Sequence, residues 1–369
     1  MLRWLLKTLW LQKASLVASA AGVAGAFVLV VILQAVFAGE ARQMVAYARH
    51  APADVWVMQR GVLNMHMANS FVWAWKAKRI AALPGVRAAT PILYSGALVR
   101  MRGRTMLAYA VGLEPGAHRA GPWAMAAGKA MPGPGEIVLP RVFAAMTGIG
   151  LGAQVGLTDK RLEVVGLSEG TYSMANPVVF VAASDLADLM QAAGTVSYIL
   201  VEAEPGQDAA ALAARIEREV QKVTALPKER FTRNDVQLGM QMGAEIIAFM
   251  TLIGSGLAAV IIAFTAYSQV ARRRRELAIA KALGVRNREI YAAVGVQTAL
   301  ITGLGLLLAL LAAWGLFPLL SALVPQITLE LTAGALGRAA AVALVVAAIS
   351  AWIPARYVAR VDPLTAFKG

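Results

Sequence analysis

Ala271–Ile290 reads ARRRRELAIAKALGVRNREI. Four arginines, Arg272–Arg275, close one long apolar run, and Ile290 opens another. Residues 246–271 upstream carry no Asp, Glu, Lys or Arg, and neither do residues 290–329 downstream. Crossing the hydrocarbon core of a bilayer takes about 20 helical residues. The stretch therefore reads as a charged joint between two membrane spans. Further out, residues 14–39 and 339–355 are also free of charge. Pro318 and Pro325 break the 290–329 run into one span and a turn, and apolar residues from Leu331 lengthen the last run. Four transmembrane helices are expected, at 14–39, 241–271, 290–317 and 333–355, with a short outer loop over 318–332.

Composition agrees with a membrane chain. Of the 369 residues, 59% are hydrophobic and 15% charged, where an average soluble domain carries about 25% charge. Mean hydropathy is +0.62. A disordered chain is excluded, and the composition argues against an ordinary cytosolic enzyme. With no cysteine there is neither a disulfide nor a thiolate metal site. The net charge of +14 would suggest nucleic acid in a soluble protein. Its distribution suggests topology instead. With the N-terminus inside, residues 1–13, 272–289 and the tail 356–369 face the cytoplasm. Together they hold thirteen basic residues against three acidic ones. The rest of the chain holds twenty-two against eighteen. This is the positive-inside pattern, so no nucleic-acid partner is expected.

Val36-Phe37-Ala38 resembles a signal-peptidase site. The apolar run before it is longer than a signal peptide's core of about 7–15 residues, so a retained anchor is expected. Residues 1–13 are amphipathic, with Arg3 and Lys7 on one face and Leu2, Leu5, Leu6 and Leu9 on another. They read as a helix lying on the inner leaflet or as an inward extension of the first span.

Residues 40–240 read as an extracytoplasmic α+β domain, long enough for its own core. Expected strands are Asp54–Met58, Ala97–Arg102, Met106–Val111, Glu136–Leu139, Glu163–Leu167, Val178–Val181 and Val196–Val201, with a hairpin turn at Arg102-Gly103-Arg104. Expected helices are Phe71–Leu83, Ser184–Ala192 and Asp208–Thr224, the last with Leu212, Ile216 and Val220 at helical spacing. Chemistry here is sparse. His50, His66 and His118 are scattered along the chain. Met65, His66 and Met67 offer thioether and imidazole ligands for haem iron or copper, or else mark a loop or helix edge where methionine packs. No catalytic nucleophile with a base is visible and no metal site is expected. Gly121…Gly128-Lys129 has the wrong glycine spacing for a phosphate loop, and Ala130 stands where Ser or Thr is needed.

Within the opening stretch, Leu277, Ile279, Ala282 and Leu283 make a short amphipathic helix, and Gly284 ends it in the left-handed conformation. Glu289 and Ile290 then open the next helix. Two readings of the short helix stand: it docks a soluble motor, or the loop is a solvated basic anchor to lipid.

The basic run, Glu276, the apolar helix and Ala282-Leu283-Gly284 resemble the signature of FtsX-like permeases, the MacB-type or type VII group of ABC transporters. Pro354-Ala355-Arg356 and Asp362-Pro363-Leu364 resemble that family's ending. The start of the outer domain, Ala53–Met65, is similar to the DevC and HrtB-like permeases. The resemblance implies a homodimeric permease in the bacterial cytoplasmic (inner) membrane, served by two copies of a separate ATPase. ATP and Mg would be bound by that ATPase, and this chain would carry no cofactor. Motor closure would be transmitted to the outer domains, which in MacB relatives work with a periplasmic adaptor and an outer-membrane channel. Glu276, Leu277, Ile279, Lys281, Ala282, Leu283 and Gly284 would then be the ATPase-coupling helix.

Gly22 with Ala26 and Gly254 with Ala258 have the small-xxx-small spacing of helix interfaces, and are dimer-contact candidates in an Ala- and Gly-rich chain. Glu245, at the outer mouth of the second span, either touches substrate or caps an interface. The expected function is export or extraction of a hydrophobic or amphiphilic substrate by mechanotransmission. The alternative is an FtsX-like transmitter that controls an extracytoplasmic partner without transport.

Overall fold

The computed structural model describes residues 13–359 apart from 67, 175, 273, 274, 277, 280–283 and 325. The amphipathic segment expected at 1–13, except Lys13, and the end of the tail from 360 lie outside the described residues. Contacts divide the chain into two units. One comprises Glu40–Met242 with Pro325–Thr328; the other comprises Met1–Gly39, Gly243–Val324 and Leu329–Gly369.

The chain enters through α1 (Lys13–Met44), which has residues in both units. The α+β unit then follows as α2 (Ala46–His50), β1 (Val55–Gln59), β2 (Val72–Trp73), α3 (Trp75–Ala81), β3 (Val86–Met101), β4 (Arg104–Leu113), β5 (Met125–Gly128), β6 (Glu136–Pro140), α4 (Arg141–Thr147), β7 (Gln154–Leu157), β8 (Lys160–Ser168), β9 (Val178–Ala182), α5 (Ala183–Met190), β10 (Thr195–Val196), β11 (Tyr198–Ala203), α6 (Ala209–Glu219) and β12 (Val223–Pro227). The main sheet runs β12-β1-β11-β3-β4-β9-β6-β8-β5, and β7 pairs with both β3 and β8. The path β3-β4-β9-β6-β8-β7 therefore returns to β3 and closes a six-strand ring.

β3 serves two lobes. Its first half pairs with β11, and its second half pairs with β4 and, at Val99 and Arg100, with β7. Pro91 is tolerated because its ladder partner is Ile199 of β11, while pairing with β4 begins only at Ile92. The β3–β4 connection has Arg102 at φ 43° and Gly103 at φ 79°. Two successive left-handed residues twist a hairpin in the sense its strands require.

Alternation along the strands sorts the cores. Leu93, Ala97 and Val99 join Ala108, Ala110, Ile137, Leu139, Val179 and Val181 in the ring's core, with Phe143 of α4 and Leu186 of α5 packed on it. On the opposite parity, Ile92, Tyr94, Val111, Val138 and Phe180 join Trp56, Met58, Tyr198 and Leu200. α3 and α6 lay Ile80, Leu212 and Ile216 over Val55, Val57, Ile199 and Val201. Asp208 caps α6 by accepting from Ala211 N at 2.7 Å.

Several expected elements change. Phe71–Ala74 are not helical: Val72 and Trp73 pair with Val196 and Thr195, and the helix begins at Trp75. The expected strand Val196–Val201 divides at Ser197, whose hydroxyl accepts from Tyr94 N. The helix from Asp208 stops at Glu219, because Val223 and Thr224 are taken by β12, which pairs with β1. In the first and last of these places non-local pairing overrides helical spacing.

The helical elements that follow are α7 (Lys228–Arg272), α8 (Asn287–Leu323) and α9 (Ala333–Ala359). Among the described residues, Leu16–Met44, Asn287–Leu323 and Ala333–Ser350 are long and apolar enough to cross a membrane; within α7 the apolar segment Thr251–Thr265 is shorter. α7 begins thirteen residues before the expected start of its span, and α8 continues through Pro318, where a turn was expected. A proline in an apolar helix forfeits one backbone bond, and in such settings the gap is tolerated. Thr332 caps α9 by accepting from Ala335 N at 3.1 Å.

Candidate functional site

Three regions hold the residues singled out by the sequence. The first is the loop between α7 and α8. Glu276, Ala278 and Ile279 are helical; Ala278 is fully buried, and Glu276 and Ile279 are exposed. Gly284 has φ +89°, the left-handed geometry of a glycine stop. Leu277, Lys281, Ala282 and Leu283 lie outside the described residues.

The second region is the contact of α1 with α7. A Cβ on Gly22 would lie 3.5 Å from Ile261 Cγ2, and one on Gly254 would lie 2.9 Å from Val30 Cγ2. Between them Ala26 and Ala258 are buried in one cluster with Val23, Phe27 and Ile262. Residues 22, 26 and 30 thus face 261, 258 and 254, an antiparallel seam within one chain. The seam ends on polar bonds: Gln34 donates to Thr251 Oγ1 at 3.1 Å, and Arg338 Nε of α9 donates to Gln34 Oε1 at 3.0 Å. Gly305 of α8 meets the same helix still more closely, since a Cβ there would lie 2.5 Å from Val23 Cγ1. Glu245 belongs to α7; its side chain lies outside those described.

The third region is the α+β unit. Met65 packs in the aromatic core, and its backbone N–H donates to both carboxylate oxygens of Asp235. His66 Nδ1 lies 3.0 Å from Asp235 Oδ1, and its ring stands edge-on to Tyr109 at 5.3 Å. Burial pushes the Tyr94 and Tyr109 hydroxyls up. Met67 lies outside the described residues. No group of three metal-ligating side chains occurs among the described residues. Gly128 and Gly166 are crossing points of β5 and β8: a Cβ on Gly128 would lie 2.2 Å from Val165 O. That close approach of strands accounts for these glycines without a phosphate.

His50 and His118, far apart in sequence, share one cleft of about 460 Å³ with Asp54, Arg87, Arg119, Trp123, Glu202 and Lys228. Arg87 and Arg119 both bond Glu202 Oε2. Burial works to raise Glu202, but the two guanidiniums override it and hold the carboxyl below its usual range. Lys228 Nζ donates to Ala51 O at 2.9 Å, and burial lowers its pKa despite Asp54 and Glu229. His50 Nδ1 lies 2.8 Å from Ala46 O, and its ring stacks on Trp123 at 4.3 Å. Apart from the histidines, no motif marks the members of this cleft or Asp235. His66 and Asp235 are 169 residues apart, so only the folded sheet brings them together.

The MacB-like periplasmic core domain family matches residues 16–219, and the FtsX-like permease C-terminal family matches residues 248–363. The chain belongs to the MacB- and FtsX-like family of ABC transporter permeases, membrane proteins whose permease subunits are not themselves ATPases. It is 24% identical over 326 residues to an ABC transporter permease of Mycobacterium tuberculosis and to one of Mycobacterium bovis, covering 86% of this chain and 84% of theirs. The periplasmic region of MacB from Actinobacillus actinomycetemcomitans aligns at TM-score 0.38 and 10% identity, over 50% of this chain and 94% of that one. The extracellular domain of the transporter YknZ from Gram-positive bacteria gives TM-score 0.38 and 10% identity over 47% and 99%.

Proposed function

We propose that this chain is the permease subunit of an ATP-driven exporter that works by mechanotransmission on a hydrophobic or amphiphilic substrate. It acts as a homodimer of four-span subunits in the inner membrane, with two copies of a separate ATPase bound to the loop 272–289. The observation that carries this reading is that two family matches follow one another along the chain, over residues 16–219 and 248–363, with that loop inside the second. α7 has residues in both units and is the covalent path from the loop to the α+β unit. A periplasmic adaptor and an outer-membrane channel complete the assembly in this reading.

Leu277, Ile279 and Leu283 would form the apolar face seated in the ATPase. Burying one leucine is worth about 1.5–3 kcal/mol, or one to two decades of affinity. Leu283→Asp is therefore expected to insert normally and to lose the cognate ATPase in a pull-down at equal membrane expression. Lys281→Ala should do much less, since exposed pairs are worth under about 1 kcal/mol. If Leu283→Asp retains the ATPase while neutralising Arg272–Arg275 releases it, the loop is a lipid anchor and the coupling assignment is wrong.

A further inference from the structure

The cleft between β3, the one-turn helix His118–Ala120 and the start of α7 has no part in the transport reading above, and it lies wholly in the α+β unit. Glu202 sits on its floor, with a side chain 8% exposed. Above it stand the guanidiniums of Arg87 and Arg119, which are 53% and 67% exposed. Each gives an N–H to the same carboxylate oxygen. A guanidinium carries five N–H donors in a rigid fork, so one such bond fixes its plane and leaves most of its donors directed elsewhere. The floor carboxylate thus orders two guanidiniums before any ligand arrives, which removes part of the entropy loss of binding.

Three basic side chains, Arg87, Arg119 and Lys228, outnumber the two carboxylates of Glu202 and Asp54 in the lining. Asp54 is itself engaged, accepting from Ala203 N at 2.8 Å. Burial lowers the Lys228 pKa more than Asp54 and Glu229 raise it, a deficit that a bound anion would relieve. The Nδ1 of His50 is held by the Ala46 carbonyl, and Trp123 stacked on its ring gives the cleft one apolar wall.

We propose that this cleft is a binding site for a phosphate group, free or carried on an organic or lipid headgroup. A carboxylate offers two coplanar oxygens, which a single guanidinium satisfies. Donors that converge from β3, the His118 turn and the start of α7 suit an anion with three or more oxygens. The apolar wall at Trp123 accommodates the carbon skeleton of a phosphate ester.

The test is calorimetry on the full chain in zwitterionic nanodiscs, titrated with inorganic phosphate and with glycerol 3-phosphate. A parallel preparation contains phosphatidic acid in the nanodisc. Saturable binding of the soluble compounds supports the site and identifies a soluble ligand. Occupancy only in the phosphatidic acid preparation, read as protection of the chain against urea unfolding, supports it and identifies a headgroup. Arg119→Ala leaves Glu202 paired with Arg87 and should weaken either signal by about tenfold or more. Arg141→Ala removes a cation that pairs with Glu169 outside the cleft and should leave the signal unchanged. No binding in any arm, or an equal loss from Arg141→Ala, overturns the proposal and makes the cleft a purely structural ion cluster.

Discussion

The two units distribute the same amino-acid types in opposite ways. In the α+β unit the large side chains are inside: Trp56, Tyr47, Tyr198, Phe143, Phe180 and Phe231 are all fully buried. In the helical unit many large side chains face outward: Leu344 is 75% exposed, Trp314 73% and Phe264 72%. Its buried positions include Ala26, Ala258, Ala309 and Ala313, with Gln34, Thr298, Thr302 and Ser350, beside a few larger side chains such as Phe27 and Ile262. Water drives the first pattern, because burying apolar area is what stabilises a core. The second is the pattern of a hydrocarbon solvent, in which leucine gains little by leaving lipid and small residues let helices approach.

The contrast is broken most severely by removing an aromatic residue from the first unit. Trp56 stacks on Phe231 at 4.6 Å and meets Tyr198 edge-on at 5.6 Å. Trp56→Ala should destabilise that unit by about 3–5 kcal/mol, read as a lower urea midpoint of the near-ultraviolet circular dichroism. Trp56→Phe should cost much less, since the stack persists and the indole N–H, which has no hydrogen-bond partner among the described residues, is removed. Equal losses would mean that shape outweighs both effects.

The helical unit should fail in the opposite direction, by addition. At Gly305 a Cβ would come within 2.5 Å of Val23, so Gly305→Ala should cost about 1–3 kcal/mol as overpacking. Two residues earlier, Gly303 has nothing within 4 Å of a Cβ. Gly303→Ala should leave the chain unchanged or stabilise it by up to about 1 kcal/mol. Thermal aggregation in detergent ranks the pair; the reverse order would remove the α1–α8 contact described above.

The smallest effect belongs to the wet surface of the first unit. Hydrogen bonds from Lys129 and from Gly133 N hold the Glu136 carboxyl below its ordinary value of 4.5. A carboxyl with a depressed folded-state pKa contributes stability that is complete above its unfolded pKa and is lost as pH falls through the folded one. The melting temperature should therefore decline below about pH 4.5. Glu136→Gln should flatten that decline slightly, while the helical unit shows no matching change. A decline that is identical in Glu136→Gln would assign it to other carboxyls.

How much of this was legible in the sequence follows from the same contrast. The charge-free runs are local, so the apolar helices could be read directly, as could the Arg102-Gly103 hairpin and the glycine stop at Gly284. Gly22, Ala26, Gly254 and Ala258 were legible as small-xxx-small positions and were expected at a dimer contact; spacing could not tell which helix they meet. Here they join α1 to α7. β2 and β12 were not legible, since each short run becomes a strand only through a partner far away in the chain. The cleft was invisible for the same reason: its cations come from positions 87, 119 and 228.

The double membership of β3 has an evolutionary consequence. Many domains are traded between proteins as cassettes, cut at a loop and pasted at another. Here the two lobes share one continuous strand, paired with β11 at one end and with β4 and β7 at the other. No cut between them avoids severing β3, and a one-residue insertion near Ile92, where its pairing passes from β11 to β4, would invert the inward and outward faces of one lobe relative to the other. The lobes must therefore be inherited together, and a chimera that takes one without the other should not fold.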